Sequence, residues 1–122
     1  MSWQLRVLAV VLVLVATANS RAEVVINFDY STDSEGFFAP GSTARATLEA
    51  GGAFFGSILS DDLLAIVPGG GNVWSAGYVH PATGVSSSAL NLVVPADTVT
   101  IFVGSRDLPG TELGSGARGS VG

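Results

Sequence analysis

Three acidic side chains lie close together where the first predicted strand ends. Asp29, Asp33 and Glu35 fall within seven residues. Carboxylate oxygens are the hard ligands that calcium prefers. The spacing differs from the roughly twelve-residue EF-hand loop, and aspartate, serine and glycine also form ordinary solvated turns. The segment is therefore interpreted either as a polar turn, which is the commoner use of these residues, or as a calcium site.

The side chains that zinc, serine or cysteine catalysis needs are largely missing. A helical H-E-x-x-H motif supplies two histidines one turn apart, whereas His80 is the single histidine of this chain. Cysteine is absent, and no Gly-x-Ser-x-Gly elbow occurs. The sequence therefore predicts no catalytic residue here. His80, which precedes Pro81 in a predicted turn, is assigned a structural or solvent-exposed role.

Other residue patterns could bind a ligand but have simpler uses. Trp74 and Tyr78 share one face of a predicted strand and could line a carbohydrate or peptide groove, although aromatic residues at this spacing more often belong to a core. The glycine stretches at 69–71 and 114–119 do not follow a strand and open a helix, as a phosphate-binding loop must, so nucleotide binding is not expected. Asp61 and Asp62 are predicted to begin a short helical turn rather than to bind metal.

The charge of the chain excludes some classes of partner. The 122 residues include ten acidic side chains, five arginines and no lysine. A mature chain starting at residue 23 keeps every acidic residue but only Arg45, Arg106 and Arg118, for a net charge of −7. Such a chain repels nucleic acid and anionic membrane surfaces. Without cysteine it has no disulfides, so packing, bound metal or a larger assembly must stabilise it.

The first residues have the pattern of a secretory signal peptide. Arg6 precedes an aliphatic run over residues 7–16, and small residues suitable for cleavage end at Ala18 and at Ala22, of which Ala22 is preferred. The run is half the roughly 20 residues that a permanent membrane helix needs, so no stable membrane anchor is expected after cleavage. We predict a secreted, extracytoplasmic protein with a signal peptide at 1–22.

The remaining pattern predicts an α+β fold, a twisted and mostly β sheet with one long helix packed on it. Alternating apolar residues predict strands over 24–30, 73–79 and 98–104, with further extended chain over 89–94. Apolar residues at spacings of three and four predict a helix over 43–60 that Ser42 caps. Gly51 and Gly52 lie in its middle, which indicates either a kink or a close neighbouring strand.

The chain is divided into a signal peptide (1–22), an α+β region (23–108) and a glycine-rich flexible tail (109–122). Residues 108–122 contain little that could build a core. A domain does not normally finish in a strand followed by an open glycine-rich stretch. The chain is therefore expected to be a fragment of a longer protein.

Several of these segments together resemble a known family. They are the strand Ile26-Asn27-Phe28-Asp29-Tyr30, the helix from Ala46 to Asp61, and the stretch from Val94 to Leu108. The set is similar to the N-terminal part of secreted bacterial metallopeptidase-like proteins of the metzincin type, several of which also carry a surface-sorting tail. The resemblance implies an upper sheet of a protease domain, with the zinc helix later in the chain. No zinc or catalytic residue of the family has a counterpart here.

Two functions of different classes follow. The first is an exported N-terminal fragment of a zinc metallopeptidase-like protein, which is not catalytically competent as given because zinc would bind only in the missing part. The alternative is a self-contained, secreted, non-enzymatic module. That module would bind calcium, a glycan, or a peptide or surface partner through the aspartate loop and the aromatic strand.

Overall fold

The computed structural model describes residues 22–121, so the predicted signal-peptide helix lies outside the described residues. The described part is α+β, with mostly strands and one helix, which confirms the predicted fold class at this level. In chain order the elements are β1 (Val25–Asp29), α1 (Thr43–Ile58), β2 (Ser75–Val79), β3 (Ser86–Leu90), β4 (Thr98–Phe102) and β5 (Ser120–Val121). No helix within residues 22–121 has the length and apolar character to cross a membrane.

The first sheet is the parallel pair β1–β4, with α1 packed on β1. Ile26 pairs with Val99 and Phe28 with Ile101, so these four apolar side chains point to the same face. Backbone bonds close the pair at both ends, from Val25 N to Asp97 O and from Val103 N to Asp29 O. Parallel neighbours need a long crossover, which α1 and the following segments supply.

The second sheet is antiparallel and has the order β3-β2-β5. A turn from His80 to Val85 joins β2 to β3, and the His80 amide donates to the Val85 carbonyl oxygen. β5 pairs with β2 through Ala76 and Gly77. The prediction of a flexible tail over 109–122 did not include this pairing, which follows because Gly77 has no side chain and leaves room for Ser120.

Helix α1 begins as predicted and meets its sheet through glycines. The Ser42 side chain accepts a hydrogen bond from the Arg45 amide, which satisfies one of the free donors of the first turn. The helix is continuous over Thr43–Ile58 and buries Gly52 and Gly56. A side chain at Gly52 would collide with the Phe28 ring. At Gly52 the helix therefore approaches β1 closely and does not kink.

Several predicted boundaries are wrong. Helix α1 ends at Ile58 rather than at residue 60, and Asp61 and Asp62 are exposed and non-helical. β3 occupies Ser86–Leu90 rather than 89–94, because Asn91 takes a left-handed backbone (φ 54°) that ends the strand. The next residues turn away, and Val94 pairs instead with Ile66 in an isolated bridge.

Little apolar surface is buried within residues 22–121. The buried apolar side chains among these residues are Val24 and Val103, and Thr32 is the buried polar one. Many large apolar side chains remain exposed, including Phe54, Phe55, Ile58, Leu64, Val99 and Ile101. A folded domain of this size normally encloses a larger core. Exposed apolar patches of this kind are typical of surfaces that contact other protein.

Candidate functional site

An open groove of about 1650 Å³ lies along the outer edge of β4. Its lining includes Leu48 of α1, residues of β2 and the segment 113–121. Val99 and Ile101 line the groove and are 38% and 42% exposed, because α1 packs on β1 and leaves the same face of β4 uncovered. The groove is therefore an apolar cleft beside a strand edge.

The edge of β4 that faces this groove has no backbone partner among residues 22–121. In a parallel ladder alternate residues direct both backbone groups to the same neighbour. Val103 N donates to β1, so Ile101 and Val99 also face β1, whereas Thr98, Thr100 and Phe102 direct their N–H and C=O groups into the groove. An extended polypeptide could add to this edge through main-chain hydrogen bonds.

An aromatic stack forms part of the groove and joins the two sheets. The Tyr78 ring stacks on Phe102 with 4.0 Å between ring centroids and an interplanar angle of 14°. His80 stacks near Tyr78 at 6.4 Å. Trp74 precedes β2, and its indole N–H donates to the Leu92 carbonyl oxygen at 2.9 Å. Because Tyr78 and Trp74 are engaged by protein groups, their role in packing is better supported than a role in sugar binding.

His80 and Arg106 organise the turn between β2 and β3. The Arg106 guanidinium donates to the carbonyl oxygens of His80 and Pro81, at 3.4 and 3.1 Å, and lies against Gly84. The His80 Nδ1 atom is buried without a hydrogen-bond partner among the described residues. Sequence reasoning gave His80 a structural or exposed role and assigned none to Arg106, whose partner is a backbone carbonyl 26 residues away.

The acidic residues predicted to bind calcium are used mainly as turn formers. Asp29 accepts from the Ser31 amide at 2.9 Å, and Asp33 accepts from the Phe38 amide at 2.7 Å. Glu35 is exposed and lines the groove instead. Within residues 22–121 no three His, Cys, Asp or Glu side chains are grouped so that they could hold a metal ion. A calcium site at these residues stays a prediction.

A second cluster of polar side chains joins Tyr30, the residue after β1, to Arg45 and Glu49 of α1. Arg45 Nε lies 2.8 Å from Glu49 Oε1, and its guanidinium lies 4.0 Å above the Tyr30 ring. The Tyr30 hydroxyl donates to the same Glu49 oxygen at 3.3 Å. The hydrogen bond from Arg45 lowers the pKa of Glu49. Desolvation, followed by the Glu49 charge, raises the pKa of Tyr30. The i,i+4 spacing of Arg45 and Glu49 is visible in the sequence, whereas Tyr30 joins them only in the fold.

Comparison with known proteins adds no family assignment. No protein-family model matches the chain, and neither the curated proteins nor the solved structures include one with significant similarity to it.

Proposed function

We propose that this chain is the exported N-terminal region of a zinc metallopeptidase-like protein of the metzincin type. The resemblance of the strand, helix and strand segments carries the family part of the proposal. The open edge and uncovered face of β4 support the proposal that the chain is part of a larger domain. Val99 and Ile101 lie exposed there. Further polypeptide of the same protein would pair with this edge and cover the cleft beside α1.

The residues described here have no catalytic part in this proposal. They contain no group of three side chains that fits a zinc ion, and the chain has a single histidine. Their function is structural, because β1, α1 and β4 would form one side of the protease sheet. As given, the chain is expected not to hydrolyse peptides.

The alternative is a self-contained secreted module without enzymatic activity. The same groove favours this function, since a free strand edge with an apolar lining can bind an extended peptide or surface partner by strand addition. Glycan binding has less support because Trp74 and Tyr78 already contact protein groups.

The coding sequence downstream of Gly122 separates the two functions. An open reading frame that reaches H-E-x-x-H within about 100 codons supports the metallopeptidase proposal. A stop codon directly after Gly122 would contradict it and favour the module.

Thermal unfolding provides a second test. If further polypeptide is needed to cover β4, the exported chain should bind a hydrophobic dye and unfold over a broad range of temperature. A sharp two-state transition without dye binding would favour the self-contained module. Dye binding that falls when Ile101 is replaced by Lys would locate the exposed surface at β4.

A further inference from the structure

The open edge of β4 lacks several of the features that keep strand edges apart. Its five residues carry no charge, no proline and no bulge, and the strand is rich in β-branched residues. The chain as a whole carries a net charge of −5, but β2, β3, β4 and β5 have no charged residue, so two such strands can pair without charge repulsion between them. An edge of this kind is a template for another neutral strand.

The sequence of β4 is also complementary to itself. If two copies of β4 run antiparallel about Thr100, Val99 of one copy faces Ile101 of the other, and Thr98 faces Phe102. The outward backbone groups of Thr98, Thr100 and Phe102 are then the hydrogen-bonded pairs of the new ladder. Both Val99–Ile101 contacts lie on the face that α1 leaves uncovered.

We propose that a second copy of this chain occupies the groove, pairing β4 with β4 about a two-fold axis through Thr100. The result is a four-stranded sheet in the order β1-β4-β4-β1, with one α1 from each copy on the same face. The axis relates identical surfaces, so the contact closes at two copies. The occupant is a second copy because its strand is neutral, matches in length and places an apolar residue opposite both Val99 and Ile101.

This dimer uses the same edge of β4 that the proposed function assigns to further polypeptide, so it is proposed for the 122-residue chain, in which that edge is open. The proposed function is tested by the coding sequence beyond Gly122, whereas the dimer is tested by the association of the 122-residue chain. Failure of one therefore leaves the other standing.

A single cysteine tests the pairing directly, because the chain contains no cysteine of its own. In a hydrogen-bonded antiparallel pair the two Thr100 Cα atoms would lie about 5.5 Å apart, a separation that a disulfide spans. The chain expressed from all 122 codons with Thr100→Cys should form a covalent dimer on mild oxidation. Its rate should be about tenfold or more above that of Leu64→Cys, which places the thiol at a position outside β4 that is 90% exposed.

Sedimentation provides the second measurement. The unmodified chain should sediment with twice the monomer mass, and Ile101→Lys should reduce it to the monomer, since two lysines would meet the facing valines. The matched control is Leu64→Lys, which should leave the dimer intact. A monomeric unmodified chain, a polydisperse aggregate, or equal oxidation rates for the two cysteine variants would each overturn the proposal.

Discussion

Gly56 of α1 lies directly against the backbone carbonyl oxygen of Val24. A Cβ atom built on Gly56 would collide with that oxygen, whereas one built on Gly51 would meet nothing within 4 Å. Val24 is one of the two buried apolar side chains among residues 22–121. The contact therefore fixes how closely the helix approaches the start of β1.

Replacing Gly56 by Ala should destabilise the chain by about 1–3 kcal/mol, because a backbone atom cannot rotate away from the added methyl group. Gly51→Ala should instead stabilise it by about 1 kcal/mol, since alanine is the better helix former at an open position. Chemical denaturation of both variants measures the difference. Equal effects of the two substitutions would contradict the proposed packing.

Thr32 connects the loop after β1 to the end of β4. Its buried hydroxyl donates to the Val103 carbonyl oxygen at 2.9 Å. Thr32→Val keeps the volume but leaves that carbonyl without its donor, and should cost about 1–3 kcal/mol of unfolding free energy. Thr98→Val is the control, because the Thr98 hydroxyl bonds locally at an exposed position. Its effect should stay within about 0.5 kcal/mol.

Substitutions of Asp33 and of Glu35 should have different effects on stability if the acidic loop is a turn. Asp33→Ala removes the acceptor of the Phe38 amide and should lower stability by about 1.5–3 kcal/mol in the presence of a chelator. Glu35 has no such bond, so Glu35→Ala should change stability by less than about 0.5 kcal/mol. If calcium binds here, added calcium should raise the melting temperature of the unmodified chain, and both substitutions should remove that increase.

The Tyr30–Glu49 contact predicts opposite effects on tyrosine titration. Glu49→Gln should lower the pKa of Tyr30, because the Glu49 charge and hydrogen bond contribute to raising it after desolvation. Arg45→Gln should raise the pKa of Tyr30 further, because the Arg45 charge acts in the opposite direction. Absorbance at high pH measures both, and Tyr30→Phe identifies the step. Shifts of the same sign in the two variants would contradict the cluster.

The contribution of the Tyr30–Arg45–Glu49 cluster to stability should decrease at both acidic and basic pH. The pKa of Glu49 is lowered in the folded chain, so its contribution to stability is present above the unfolded pKa and is lost as pH falls through the folded pKa. The pKa of Tyr30 is raised, so its contribution is present below the unfolded pKa and is lost as pH rises through the folded pKa. In Glu49→Gln the acid-side loss should diminish, as unfolding measured from neutral to acidic pH would show.

The elements with strong local signals were predicted well. Ser42 begins α1 because its hydroxyl accepts from a nearby backbone amide, and alternation located β1 and β4 because one face of each strand is apolar. β3 was misplaced because the left-handed backbone of Asn91, not a change in hydrophobicity, ends the strand. The short β5 carries no apolar pattern, and it pairs with β2 beside Gly77, where the absence of a side chain leaves room for Ser120.

By itself the sequence determined the α+β class, the capped helix, the acidic charge and the lack of a catalytic motif, because these depend on composition and on local periodicity. Only the tertiary structure decided which residues meet. In the fold Tyr30 contacts the Arg45–Glu49 pair, and Asp33 stabilises a turn. The fold also left the edge of β4 open, because strand order and the position of α1 depend on contacts between segments far apart in the chain.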